Sequence, residues 1–152
     1  MAAKVKFELV SPEKLLLSEE VEMVVVPGTE GLFGVLPGHA LFISAVKPGV
    51  IDCYDNNRVS ERIFVSGGFA EVTPERCTVL ADEAMPLSSL DRGEIEESMK
   101  AASAEIASLE ERLAKLQGAE RDLVEIELKA AEVRRLVAEA KRAALESGVA
   151  VH

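Results

Sequence analysis

The chain has 152 residues, of which 48% are apolar and 29% are charged, and its formal net charge at pH 7 is -10. This composition supplies both a core and a soluble surface, so it excludes a wholly disordered chain, and the negative charge argues against general nucleic-acid binding. The first residues lack the apolar run of a signal peptide and no stretch has the roughly 18 apolar residues of a membrane span, so we expect a cytosolic protein that meets a membrane only through a partner.

Residues 1–86 have the sequence pattern of an all-β domain. The segment KVKFELV (4–10) alternates apolar and charged residues, which is the period of a strand with one buried face. Closely spaced short strands without intervening helices predict a sandwich or barrel of antiparallel strands. Gly67 and Gly68 indicate a bulge or a close backbone approach. The further predicted strands, separated by turn sequences, are residues 21–26, 40–46, 50–54, 62–72 and 77–81.

The segment PGTEGLFGVLPGH, Pro27 to His39, stands out among these strands. It contains four glycines and two prolines, and it has few charges. Neither of the glycine patterns that bind phosphate in nucleotide-binding proteins is present. We interpret this segment as a surface loop whose glycines have a role other than binding phosphate.

Residues 87–152 have a different composition. All six prolines, all five phenylalanines and the only tyrosine lie at or before Pro86, so we place a domain boundary there. Beyond it, two apolar stripes have alternating spacings of three and four residues, the period of helices with one buried face. The stripes are Ile95, Met99, Ala102, Ile106, Leu109, Leu113 and Leu116, and then Leu123, Ile126, Ala130, Val133, Val137, Ala140 and Ala144.

The two stripes lose phase around Gly118, which indicates a turn between two helices. One continuous helix would leave both stripes without a partner, whereas an antiparallel hairpin buries each against the other, and each buried Leu or Ile contributes about 1.5–3 kcal/mol. Acidic residues from Asp91 onward predict the start of the first helix, and Gly148 predicts the end of the second.

Few residues are candidates for catalysis or metal binding. The only histidines are His39 and His152, and we interpret His39 as a docking residue rather than a catalytic base. Paired carboxylates flank or end the strands and are interpreted as solvated, so no glycosidase or metal site is predicted. Cys53 and Cys77 are isolated and are interpreted as reduced core thiols.

Charge along the second helix is uneven. Acidic residues come first, and the segment 129–142 then has a net charge of +3. This pattern is consistent with complementarity to the helix dipole together with pairs on one helix face, such as Glu125 with Lys129. The alternative is a basic end that binds an acidic surface of a partner.

Three parts of the sequence resemble the ε subunit of the bacterial F-type ATP synthase: VPGTEGLFGVLPGHALFISAVKPGV (26–50), VSGGFAEVTPERCTVLADEA (65–84) and the charged helix pair that follows. The resemblance implies a sandwich of about ten antiparallel strands in residues 1–86 and a regulatory two-helix hairpin in residues 87–152. It also implies a non-catalytic rotor subunit of the central stalk, which couples rotation of the c-ring to the γ subunit. Such a subunit lies peripherally at the cytoplasmic face of the bacterial inner membrane.

The same resemblance implies roles for particular residues. Four residues of the turn-rich segment would face the c-ring: Glu30, Gly31, Leu32 and His39. Four basic residues of the second helix would meet an acidic loop of the β subunits, within a catalytic head of α and β subunits, and inhibit ATP hydrolysis: Arg134, Arg135, Lys141 and Arg142. Rigidity in the ring-facing segment would serve the transmission of torque.

Two departures from the family pattern carry consequences. Some members bind ATP through a motif of Leu or Ile, Asp, two variable residues, Arg and Ala at the start of the first helix. Leu90 and Asp91 match it, but Glu94 stands in the place of Arg and Ile95 in the place of Ala. A carboxylate repels phosphates, so we expect no cofactor and weak or absent ATP binding. The family's Pro-Gly-His-Ala-Pro sequence ends here in Leu41 instead of proline.

The pattern alone also permits a different class of protein. A free-standing β-sandwich adaptor, whose helical hairpin binds a coiled-coil partner, would have the same composition and periodicity. Assembly separates the two: an adaptor is found apart from membranes, whereas a rotor subunit purifies with the synthase.

Overall fold

The computed structural model of the chain describes residues 3–150, with side chains to residue 147, and it divides between Ser89 and Leu90 into two compact units. The first unit is a curled β-sandwich and the second a pair of helices, so the predicted fold class is confirmed. His152 lies outside the described residues. The ten strands are β1 (Val5–Val10), β2 (Leu15–Val21), β3 (Met23–Gly28), β4 (Gly31–Val35), β5 (Phe42–Val46), β6 (Gly49–Asp55), β7 (Arg58–Val65), β8 (Gly68–Val72), β9 (Arg76–Ala81) and β10 (Ala84–Pro86).

The strands form one hydrogen-bonded sheet in the order β10-β7-β6-β3-β5-β8-β9-β1-β2, and β4 pairs with β3. Neighbouring strands are antiparallel, with one exception: β1 and β9 are parallel. The expectation of purely antiparallel strands is therefore wrong for this pair. The two strands are far apart in the chain, so no tight turn imposes an antiparallel direction on them.

The sandwich core is built by the predicted alternation. On β1, the apolar residues Val5, Phe7 and Leu9 are buried and join valines from seven other strands. Cys53 and Cys77 are free and buried in the same core, which confirms their interpretation as core thiols. Burial raises the pKa of each thiol from 9.0 to about 12.

The run 62–72 is two strands rather than one. It breaks at Gly67, and Gly68 at the start of β8 has a φ of +146°. A β-carbon on Gly68 would overlap the carbonyl oxygen of Leu80 on the neighbouring strand β9. The expected close backbone approach is confirmed, and it requires glycine.

Three strands and a short turn were not predicted. β2 has the sequence LLLSEEV, which lacks clean alternation, and β10 has only three residues before a 3-10 turn at Leu87–Ser89. β4 lies inside the segment that was interpreted as a loop, and this interpretation is wrong for Gly31–Val35. Two glycines in five residues hide its strand propensity, while pairing with β3 supplies its backbone hydrogen bonds.

The helical unit is the predicted hairpin, with α1 at Arg92–Leu113 and α2 at Gly118–Ala150. The stripe predicted for α1 is buried or half-buried throughout. The α2 helix continues through Gly148, so the prediction that it ends there is wrong. A glycine costs a helix only about 1 kcal/mol and does not stop it.

The face of α2 that packs on α1 differs from the predicted stripe. Val124, Leu128 and Ala131 form the hairpin core with Ile106 and Leu109 of α1. Of the predicted stripe, Leu123, Ile126, Ala130 and Val133 are exposed, Val137 and Ala140 are half-buried, and Ala144 is buried, so the prediction fails in the first half of the helix. The α2 sequence carries two apolar faces with the same period, and periodicity does not decide which of them packs on α1. Ala131 leaves room for the larger side chains opposite, which favours the observed face.

Candidate interaction surfaces

The turn-rich segment forms a β-hairpin and a tight turn instead of a loop. In the hairpin, Gly28 pairs with Gly31 across the two-residue turn Thr29-Glu30, and Gly31 has a φ of +129°. Gly28 is enclosed, because a β-carbon there would lie 2.9 Å from the Gly31 carbonyl oxygen and 3.0 Å from the Phe33 ring. The glycines therefore let the two strands turn back at this point.

The hairpin is fastened to strand β5. The Thr29 amide donates to the Ala45 carbonyl at 3.1 Å, and the Lys47 amide donates to the Pro27 carbonyl at 2.9 Å. The tip, which we define as Glu30, Gly31 and Leu32, extends beyond these bonds and is exposed. A cavity of about 420 Å³ lies between the hairpin and β5.

His39 closes the second tight turn of the segment. Its amide donates to the Leu36 carbonyl at 3.1 Å, with Pro37 and Gly38 (φ +82°) between them, which is the arrangement of a type II turn. The Gly38 amide donates to the Pro74 carbonyl at 2.7 Å, which fixes the turn to the β8–β9 connection. The His39 ring itself is half-buried.

The structure brings three of the four predicted ring-facing residues onto the hairpin tip. His39 lies in the adjoining turn: its ring centroid is 6.3 Å from that of Phe42, and Phe42 makes an edge contact at 5.2 Å with Phe33, the residue after the tip. We call residues 29–32 and 36–43 the foot. Sequence reasoning missed most of its apolar surface, which is contributed by the exposed side chains of Leu32, Leu36, Leu41, Phe42 and Ile43.

A second apolar surface crosses the outer face of the sandwich. The strand registers place Ala45, Phe69, Leu80, Val10 and Leu15 side by side on β5, β8, β9, β1 and β2. We call these five residues the outer apolar row. Phe69 is 61% exposed, Leu80 47% and Leu15 54%, so about half of the area of these three large side chains faces solvent, whereas Ala45 and Val10 are half-buried.

Polar side chains border the outer apolar row. The next register position on three of its strands holds Glu71, Thr78 and Glu8. Thr78 Oγ1 donates to Glu8 Oε1 at 3.2 Å, and Arg76 lies 3.6 Å from the same oxygen. An apolar centre with a polar border has the anatomy of a protein interface.

Sequence reasoning missed the outer apolar row, although a signal was present. Val79, Leu80 and Ala81 are consecutive apolar residues in a strand of a mostly antiparallel sheet, where one face is usually polar. Val79 and Ala81 fill the core. Leu80 is therefore the one of the three side chains that does not pack in the core. Its exposure predicts that it contacts another protein.

The four predicted inhibitory cations lie along α2 on two lines of residues seven apart. Arg134 donates to Glu105 Oε2 of α1 at 2.7 Å, and Arg135 lies 3.7 Å from Glu139 one turn further on. Lys141 and Arg142 are half-buried. At least the two arginines Arg134 and Arg135 are thus engaged within the hairpin and would exchange these ion pairs on binding an acidic partner.

The residues of the degenerate ATP motif have structural roles in α1. The Asp91 side chain caps the helix by accepting from the Gly93 amide at 2.8 Å. Ile95 is buried, and Glu94 is an acid in the first turn, where the helix dipole favours it. These structural roles explain the residue types at these positions and do not require a bound nucleotide.

Carboxylates do not assemble into a metal centre in the described part of the chain. No group of three or more metal-binding side chains occurs there. Burial raises the pKa of Glu19, and the neighbouring charges of Glu61 and Asp55 raise it further.

Neither described helix has the length and apolarity to cross a membrane.

A sandwich with two exposed apolar surfaces, followed by a helical hairpin with a basic segment at residues 129–142, is a protein built to bind other proteins. Residues 4–87 match the model of the ATP synthase, Delta/Epsilon chain, beta-sandwich domain. The ATP synthase epsilon chain of Rhodospirillum centenum is 51% identical over 144 residues, which cover 93% of this chain and 91% of the relative. That of Rhodospirillum rubrum is 60% identical over 102 residues, covering 67% and 76%.

The fold has a counterpart among solved structures. A chain in the cryo-EM structure of the Euglena gracilis mitochondrial ATP synthase (OSCP/F1/c-ring in rotational state 1) matches with a TM-score of 0.73 and 24% identity, covering 94% of this chain and 82% of that one. At this identity the match shows a shared fold. With the family model and the curated relatives, it leads to one conclusion: the chain belongs to the ATP synthase delta/epsilon chain family, among the epsilon chains of bacteria.

Proposed function

We propose that this chain is a non-catalytic rotor subunit of an F-type ATP synthase, in which residues 1–86 dock on the central stalk and residues 87–152 regulate. The observation that carries the proposal is the pair of apolar surfaces, the foot and the outer apolar row, on one stiff sandwich. Two surfaces on one body allow it to join two partners that must turn together.

The outer apolar row is the surface we assign to the γ subunit. Phe69, Leu80 and Leu15 are each about half exposed, so covering them would contribute roughly 1 kcal/mol apiece, half the value of full burial. The polar border around Glu8 and Thr78 would then set the orientation of the two proteins.

The foot is the surface we assign to the c-ring, with Glu30, Gly31 and Leu32 at the hairpin tip and His39 in the adjoining turn. Backbone hydrogen bonds hold the hairpin to β5 and its end, and another holds the turn to the β8–β9 connection. A contact that is stiff in this way passes rotation to the stalk instead of absorbing it as deformation. Through the c-ring alone the chain would lie peripherally at the cytoplasmic face of the bacterial inner membrane.

The basic residues of α2 are the surface we assign to the β subunits, with the α subunits around them. The Arg134–Glu105 ion pair is about half exposed on both sides, and an exposed pair of this kind contributes only about 0.2–1 kcal/mol. Exchanging it for an acidic loop of a partner therefore costs little. This low cost suits a regulatory contact that forms and breaks.

The test is an add-back experiment on synthase membranes stripped of this subunit. The wild-type chain is expected to restore proton-coupled ATP synthesis and to suppress ATP hydrolysis. A variant with four alanines in α2 should restore coupling but lose the suppression: Arg134→Ala, Arg135→Ala, Lys141→Ala and Arg142→Ala.

A matched control removes three cations from α1 and one from the connection that follows it: Arg92→Ala, Lys100→Ala, Arg112→Ala and Lys115→Ala. It has the same change in net charge and should suppress hydrolysis as the wild type does. Equal loss in both variants would reduce the effect to net charge and contradict the assignment. Failure of the wild-type chain to bind the membranes at all would contradict the rotor function and favour an adaptor.

A further inference from the structure

The free edge of the sandwich contains a carboxylate that points inward. Strand β2 is the last strand in the sheet order, so one of its two sides has no hydrogen-bonded strand among the described residues. The register pairs Glu19 of β2 with Phe7 of β1, and Phe7 is completely buried in the core. Residues that are paired in register share a face of the sheet, so Glu19 lies on the inner face of β2.

A second inward carboxylate comes from the opposite layer of the sandwich. Glu61 of β7 is paired in register with Cys53 of β6, whose side chain is buried in the core, so Glu61 lies on the inner face as well. The sheet curls until β2 contacts β6, although these strands are far apart in the sheet order. The pKa of the Cys53 thiol is raised by burial and then by the charges of Glu19 and Glu61, so both carboxylates lie near this thiol. The two carboxylates therefore face each other where the two layers meet.

Glu19 differs from the neighbouring acids in having an oxygen without a partner. Asp55 of β6 lies 3.1 Å from the Lys4 ammonium, and Glu22 accepts a hydrogen bond at 3.3 Å from a backbone amide of the β6–β7 turn. By contrast, Glu19 Oε1 is shielded from solvent and has no hydrogen-bond partner among the described residues. Burial and the charges of Glu61 and Asp55 all raise the pKa of Glu19, so its ionised form is the unfavourable one in the folded protein.

We propose that Glu19 and Glu61 form a proton-operated joint between β2 and the rest of the sandwich. When both carboxylates are ionised, their repulsion favours a local opening in which β2 separates from β6 and Glu19 reaches water. When the pair binds one proton, the repulsion ends, and the protonated carboxyl can donate a hydrogen bond to a neighbouring carboxylate. The joint is therefore closed at acidic pH and opens more often once the pair is fully ionised.

The raised pKa of Glu19 fixes the direction of the pH dependence. Its ordinary value of 4.5 applies when β2 is open or the chain is unfolded, whereas the closed state holds the proton more tightly. Well below pH 4.5, Glu19 is protonated in both states and the closed state has its full stability. As the pH rises from 4.5 through the pKa of the closed state, that stability is lost, and at higher pH the loss is constant.

Strand β2 also carries one end of the outer apolar row. Leu15, at the start of β2, is paired in register with Val10 of β1 and belongs to that row. Opening of β2 displaces Leu15, so the state of the joint decides whether the row is complete. This consequence rests on the proposed function: if the row binds the γ subunit, ionisation of the joint weakens the contact at its β2 end.

Amide hydrogen exchange of the full-length chain, followed by NMR, tests the joint. At about pH 7.5, the β2 amides of the wild type should exchange at least about threefold faster than those of Glu19→Gln, which mimics the protonated carboxyl. At about pH 4 the two chains should exchange equally, because Glu19 is then largely protonated in the wild type too. Glu20→Gln is the matched control, since Glu20 is exposed on the outer face of the same strand, opposite Lys6. It should exchange as the wild type does at both pH values.

Glu61→Gln extends the test to the other side of the joint. It lies on β7, yet it should also slow the exchange of the β2 amides at about pH 7.5, because it removes the charge that faces Glu19. A ratio of wild-type to Glu19→Gln rates that is the same at both pH values would show a packing effect and overturn the proposal. Wild-type β2 amides as well protected at about pH 7.5 as those of the inner strand β8 would exclude the local opening and overturn it as well. The assay contains no synthase, so its failure leaves the proposed function standing.

Discussion

Gly68 is the position at which we expect the addition of a β-carbon to lower the stability of the sandwich most. Its φ of +146° belongs to a region that only glycine occupies readily, and its missing β-carbon makes room for the Leu80 carbonyl of β9. Gly68→Ala therefore carries two costs. The backbone conformation costs about 1–3 kcal/mol, and the displaced strand adds about 1–3 kcal/mol as in overpacked cores. We expect a loss of about 4 kcal/mol in the free energy of unfolding.

A matched substitution separates the two costs. Gly38 also has a positive φ, +82°, but a β-carbon there would meet no atom within 4 Å. Gly38→Ala therefore carries only the conformational cost, about 1–2 kcal/mol. The difference between the two variants, at least about 2 kcal/mol, measures the close approach of β8 to β9.

Urea denaturation followed by tyrosine fluorescence is the suitable assay. The chain has one tyrosine and no tryptophan, and Tyr54 lies on β6 of the sandwich, so the signal reports that unit alone. A result in which both variants lose the same free energy, within about 0.5 kcal/mol, would refute the reasoning from the Leu80 contact.

Three further predictions follow from local chemistry. Cys53 and Cys77 should resist thiol reagents until the sandwich unfolds. Since folding raises their pKa from 9.0 to about 12, their contribution to the free energy of unfolding should be constant below pH 9 and fall as the pH rises toward 12. Asp91→Ala should cost about 1 kcal/mol of hairpin stability by circular dichroism, because it removes the cap of α1, while Asp122→Ala on the exposed side of α2 should be near neutral. Calorimetric titration with ATP should give no micromolar binding, since Glu94 would repel the phosphates, and micromolar affinity would contradict this.

The sequence was informative where one face of an element alternates cleanly. The Val5, Phe7 and Leu9 alternation predicted β1, and the α1 stripe was right from Ile95 onward, because both elements have a single apolar face. Gly68 was recognised as a close approach for a similarly local reason: a glycine weakens the interior of a strand, so its presence there often marks a neighbouring backbone that leaves no room for a side chain.

The sequence was misleading where tertiary pairing overrides local pattern. β4 is rich in glycine and is a strand because it pairs with β3. α2 has two apolar faces, and the spacing of its apolar residues did not indicate which face packs on α1. The outer apolar row is invisible in any single strand, because Ala45, Phe69 and Leu80 meet only through the register of the sheet. A surface that is formed by residues of several strands can be recognised only from the strand registers in the structure.

The most direct measurement is the affinity of the intact chain for the isolated γ subunit, by calorimetry. If the outer apolar row is the docking surface, the wild-type chain binds, and Phe69→Glu with Leu80→Glu weakens binding by at least about 30-fold, the loss of one hot spot. Glu71→Gln, on the polar border of the same strand, should change the affinity little. Unchanged affinity of the Phe69 and Leu80 variant, with its Tyr54 unfolding transition intact, would contradict the account.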